Sequence, residues 1–119
     1  MKIGSPTAIL VYLEEEGKRM LVGRLTRSPD HFSFEYAPTY LNTHAVISLG
    51  PEMPLRKEAY LSKTLFTPFK ERIPPKDNPA YPDYCASVDI SVDEDDPFVL
   101  LATLGRRGPS SFVFEGVFY

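Results

Sequence analysis

Between Thr7 and Tyr36 the residue pattern leaves room for little besides antiparallel strands. In "HFSFEY", Phe32, Phe34 and Tyr36 alternate with His31, Ser33 and Glu35, which is the two-residue period of a half-buried strand. Upstream, Thr7 to Glu14 is a short β-rich run, closed by "EEGKR" with Gly17 at the flexible backbone position. Met20 to Thr26 makes the next strand, with Gly23 marking either a bulge or a close backbone approach. "RSPD" turns the chain into the third strand. Three strands joined by two short turns predict an antiparallel meander.

Beyond Ala37-Pro38 the pattern changes. "TYLN" fits one helical turn and "AVISL" a short strand, and "GPEMP" then breaks regular structure twice. Lys57 to Phe66 has helical spacing at Leu61, Leu65 and Phe66. Pro68 either ends that helix or lets it restart, with Thr67 as N-cap and Pro68 at the first position. The proline-rich stretch from Ile73 to Tyr84 predicts an extended surface loop, and "SVDISV" reads as a strand or an irregular connection. In "DEDDP", Asp95 or Asp96 is an N-cap for the helix "PFVLLATL", which Gly105 ends. "FVFEGVFY" is the last strand, with its aromatic residues core on one face. The sum is an α+β fold: one domain over residues 1–119, with a mostly antiparallel, barrel-like sheet of about five strands and two or three short helices.

At 119 residues, 43% apolar and 24% charged, the chain is long enough to bury a core and too apolar to be disordered. A net charge of −3 argues against nucleic-acid binding, since cationic clusters such as Arg56-Lys57 and Arg106-Arg107 are no more than pairs. Cys85 is the only cysteine, which excludes an intrachain disulfide and suits a reducing compartment. "AILVYL" is too short to span a bilayer, so the expected location is cytoplasmic.

No catalytic pattern emerges. His31 and His44 have no cysteine or carboxylate at metal-ligand spacing, and the glycines form no phosphate-binding signature. The acidic residues Asp89 and Asp93 to Asp96 lack the ligand order of a calcium loop and read as a solvated helix start. No metal, cofactor or active site is expected, and fifteen aromatics in a small domain shift weight toward a binding role.

Five stretches in order carry a resemblance: "VGRLT", "FSFEYAPTYL", "VISLGPEMPL", "LFTPFKERIPP" and "LLATLGR". Together, over residues 20–119, they resemble the N-terminal subdomain of HipA-type serine/threonine kinase toxins. Two features depart from that pattern. Arg72-Ile73 stands where the family has a leucine pair before the helix-ending proline, and Ser110-Ser111 stands near where it has a small glycine. The kinase portion of the family, with its nucleotide-binding lysine and catalytic aspartate, has no counterpart in these residues.

A free-standing copy of this subdomain is similar to the HipS-like antitoxins of tripartite HipBST systems. The resemblance implies an antitoxin, not an enzyme, that binds a HipT-like kinase toxin in a complex with a HipB-like DNA-binding protein. It supplies the subdomain that the kinase lacks. The alternative is a structural subunit that completes the assembly without inhibiting it. The candidate kinase-binding residues are Phe66, Phe69, Lys70 and Arg72 around the Pro68 turn, and Arg106 and Arg107 after the last helix. Phe66 and Phe69 are each either an interface anchor or core. In the fused kinases the chain would run on from about Tyr119, so the aromatic strand is expected to lie near the covered surface.

Overall fold

In the computed structural model, residues 5–43 and 47–118 are described. The predicted meander is present as β1 (Ala8–Glu15), β2 (Lys18–Arg27) and β3 (Phe32–Tyr36), all antiparallel. Glu16 and Gly17 join β1 to β2 with φ of 51° and 76°. Two consecutive positive φ values match the right-handed twist of the hairpin. Gly23 fulfils both of its expected roles. The β1–β2 register passes from Val11↔Gly23 to Tyr12↔Leu21, so Val22 bulges. A Cβ on Gly23 would lie 2.5 Å from the Phe34 ring and 2.6 Å from the Glu35 carbonyl oxygen.

Two further strands complete a sheet in the order β4-β3-β2-β1-β5, with β4 at Tyr60–Ser62 and β5 at Phe112–Val117. The sheet is open, with β4 and β5 at its edges, which corrects the barrel-like expectation. β4 also replaces the helix predicted over Lys57 to Phe66. The free edge of β3 offers backbone partners (Phe32↔Ser62, Phe34↔Tyr60), and a strand there turns Leu61 out to 68% exposure. Of the strand predicted in "AVISL", Ala45 and Val46 lie outside the described residues, as does His44, and Ile47 to Leu49 are irregular.

The described residues form four short helices, against two or three expected. α1 (Pro38–Leu41) is the single turn predicted. α2 (Thr67–Lys70) is the restart after the break, with its cap one residue earlier than predicted: Phe66 is extended and Pro68 sits in the first turn. α3 (Tyr81–Ser87) lies where an extended loop was expected. Pro82 falls in its first turn, where no backbone N–H is needed, and Tyr81 and Cys85, one turn apart, are both buried. Cys85 is therefore a helix residue, not a loop thiol. Val88 to Val92 is an irregular connection. α4 (Pro97–Ala102) is capped by Asp96, whose carboxylate accepts from the Phe98 N–H at 2.9 Å, and the Gly105 N–H closes it onto Leu100 O at 2.8 Å.

The core is aromatic. Phe69 lies between Phe34, at 5.7 Å, and Phe114, at 4.9 Å between ring centroids. Tyrosine hydroxyls secure its rim. Tyr36 donates to Met53 O at 2.5 Å and accepts from the Leu49 N–H at 3.0 Å. Tyr40 both donates to Ile47 O and accepts from its N–H, and Tyr60 donates to Pro54 O. Three side chains thus hold a proline-broken segment that has no regular structure of its own, and burial pushes the Tyr36 phenol above its ordinary pKa. Tyr36→Phe leaves the Leu49 N–H and the Met53 carbonyl without their shared partner, with an expected loss of about 1–2 kcal/mol in a urea melt.

Candidate partner interface

The six residues singled out from sequence fall into two groups. Phe66, Phe69 and Lys70 belong to the α2 turn, because Pro68 fixes the backbone there and α2 lies over the sheet. Phe69 has 0% exposure and is packed on three sides by Phe34, Phe66 and Phe114. Phe66 is half-buried, with its ring edge-on to Tyr60 at 6.4 Å. Lys70 is exposed.

Arg72, just beyond α2, joins this turn to the second group. Its guanidinium donates to Gly105 O at 2.9 Å, to Arg106 O at 3.3 Å and to Phe112 O, and lies 4.2 Å from the centre of the Phe114 ring. Five fixed donors suit three carbonyls that converge from two segments. Burial lowers its pKa, yet a guanidinium stays charged. The departure from the leucine pair thus works as a clamp on the end of α4 and on the edge of β5.

Arg106 and Arg107 are exposed, and each has a carboxylate: Arg106 with Glu115 at 3.0 Å and Arg107 with Glu14 at 3.0 Å. Arg19 bridges the same two carboxylates, at 2.5 Å to Glu14 and 2.9 Å to Glu115, and lies over the Tyr12 ring. Each carboxylate is thus shared between two guanidiniums, and Arg19 and Arg107 beside Glu14 hold its pKa below the usual range. Glu14, Arg19 and Glu115 were not singled out from sequence. The signal was available for one pair, since a two-residue hairpin turn places Glu14 opposite Arg19.

Beside this charged end lies an open groove of about 400 Å³. It is lined by Val99 and Ala102 of α4 and Thr103 just past it, by Arg106, Glu115, Gly116 and Phe118, and by Asp89, Ile90 and Glu94. Nothing in the sequence pointed to it, because α3, which positions Asp89, was read as loop. Among the described residues no group of three His, Cys, Asp or Glu is arranged to hold a metal ion. No helix among them is long and apolar enough to cross a membrane.

The family model for the HipA N-terminal domain matches residues 10–114 of the 119. The chain belongs to the HipA N-terminal domain family. The match begins twelve residues before the first stretch of motif resemblance and so takes in most of β1, the strand that pairs with both β2 and β5. No curated protein matches the chain. As a HipA N-terminal domain, the fold accounts for the order of the five motif stretches. "VGRLT" supplies the bulge at Val22-Gly23, and "FSFEYAPTYL" supplies Phe34 and two of the three loop-holding tyrosines, Tyr36 and Tyr40. "LFTPFKERIPP" supplies Phe69 and the Arg72 clamp. The motifs of this HipA N-terminal domain are thus chiefly residues that build its core.

Proposed function

We propose that this HipA N-terminal domain is a HipS-like antitoxin. It binds a HipT-like serine/threonine kinase toxin by protein–protein contact, supplies in trans the subdomain that kinase lacks, and thereby neutralises it. In this reading it works in the cytoplasm as one domain, without catalysis or a cofactor of its own, in a complex that includes a HipB-like DNA-binding protein. The observation that carries the reading is the family match over residues 10–114. A core filled by the domain's own aromatics, with no buried charged residue among those described, supports action as a separate piece. Lys70, Phe66, Arg106 and Arg107 have exposed or half-buried side chains suited to contact with the kinase, whereas Phe69 and Arg72 serve it by holding α2 in place.

The test is co-purification of the tagged protein with a HipT-like kinase from the same genome, followed by autophosphorylation of the kinase alone and in complex. A stable complex with suppressed phosphorylation is expected. A complex with full phosphorylation would replace the antitoxin with a structural subunit, and no complex would remove the kinase as partner.

A further inference from the structure

The groove between α4, β5 and the 88–94 segment carries features of an interface that the fold itself does not use. Successive residues of a strand turn their backbone groups to opposite edges. Phe112 and Phe114 turn theirs away from β1: Phe112 O accepts from Arg72, and the Phe114 N–H donates to Arg106 O at 2.9 Å. Gly116 is next on that edge and lines the groove, and among the described residues nothing pairs with its outward backbone. The edge is therefore covered over its first half and open where the groove begins. An open strand edge accepts an extended chain.

The wall that residues 88–94 contribute indicates the charge of that chain. Asp89 has φ of +58°, in the left-handed region, where its N–H donates to Ala86 O and the next N–H, of Ile90, donates to Cys85 O to close α3. Glycine is the usual residue at such a helix end, and a carboxylate there also faces the negative end of the helix. Both local effects disfavour aspartate, and Asp89 has no ion pair among the described residues. Glu94 on the same wall accepts only from the Asp95 and Asp96 backbone N–H groups. Glu115 is already matched by Arg106 and Arg19. With Arg106 and Glu115 of the lining matched to each other, Asp89 and Glu94 leave the groove a surplus of negative charge beside the apolar Val99 and Ala102.

We propose that the kinase docks here, through an extended segment that lies along β5 at Gly116. This segment sets an aliphatic or aromatic side chain on Val99 and Ala102, and a lysine or arginine against Asp89. The proposal rests on the reading that this chain binds a kinase, and it adds a contact beyond the α2 turn and the Arg106-Arg107 pair.

The test compares wild type, Asp89→Gly and Val99→Lys for binding to the purified kinase at low and high salt, with thermal melts of each variant. Lys63→Ala, at an exposed lysine just past β4 on the far edge of the sheet, serves as the control. The expected result is that Asp89→Gly melts higher by roughly 4 °C, since it relieves the left-handed aspartate. It nevertheless binds about five-fold or more weakly at low salt, and its affinity depends less on salt than that of the wild type. Val99→Lys is expected to lose binding while folded, and Lys63→Ala to retain it. Wild-type binding with both groove variants within two-fold of it would overturn the groove and leave the kinase reading intact. Absence of wild-type binding would overturn both. A dimer of the wild type alone that Val99→Lys dissolves would make a second copy of this chain the occupant and overturn the proposal.

Discussion

Phe69→Ala is expected to lower stability by about 3–5 kcal/mol, the range for removing a buried phenylalanine. The side chain has no exposed surface and contacts rings from three separate segments: Phe66 before α2, Phe34 on β3 and Phe114 on β5. Its loss opens a cavity where the helix, the meander and the last strand meet, and none of those rings can close it without leaving its own rotamer. A domain of this size has a total stability of about 5–15 kcal/mol, so the variant is expected to melt close to growth temperature. Urea denaturation checks the stability. Kinase binding, measured well below the melting point, separates the two roles open to this residue. A folded Phe69→Ala that binds normally is core. A Phe69→Ala as stable as the wild type that fails to bind would make Phe69 an anchor and would require α2 to rearrange on docking.

The second large effect concerns acid. Asp96 caps α4 and receives the Arg27 guanidinium at 2.6 and 3.0 Å, and Arg27 also stacks 4.3 Å from the centre of the Phe98 ring. Burial by itself would raise the Asp96 pKa. Hydrogen bonds from Arg27, Ser5 and the Phe98 N–H outweigh it and lower the pKa from 3.8 to about 2. The folded state therefore binds this proton less readily than the unfolded chain does. The contribution, about 2 kcal/mol, is fully present above about pH 4 and is lost as the pH falls through about 2. Asp96→Ala at neutral pH also removes the cap and leaves Arg27 unmatched, for an expected total of about 2–4 kcal/mol. Urea melts between pH 2 and 7 check both points. The wild type is expected to lose stability steeply below pH 4 and Asp96→Asn to lose less. Parallel curves for the two would show that the acid sensitivity arises elsewhere.

How much of this was legible in the sequence follows from where the information resides. The meander could be read because its signals are local: alternation in "HFSFEY", glycine in a two-residue turn and one glycine too close to a ring for a side chain. The α4 cap could be read for the same reason, since Asp96-Pro97 signals itself. β4 could not. Leu61, Leu65 and Phe66 satisfy a helical period, and only the free edge of β3, a non-local fact, makes residues 60–62 a strand. α3 was hidden by the composition around it, where three further prolines overshadow one turn of buried Tyr81 and Cys85. Of the candidate contact residues, Arg72 was noticed as a departure from the family pattern, but its partners are the carbonyls of Gly105, Arg106 and Phe112, over thirty positions away. No periodicity reports a clamp of that kind.

β1 lies between β2, its neighbour in the chain, and β5, whose Val117 carbonyl accepts from Thr7 across a separation of 110 residues. The hairpin with β2 forms locally and fast, whereas closure against β5 must await nearly the whole chain. At about 5–20 residues per second, synthesis from the end of β2 to the end of β5 takes roughly 5–20 s. Throughout that interval one edge of "AILVYL", a continuous apolar run, has no strand to pair with. Nascent chains on one message would then face each other with matching edges, so recovery of folded protein should depend more on translation speed and chaperone supply than on the stability of the finished sheet.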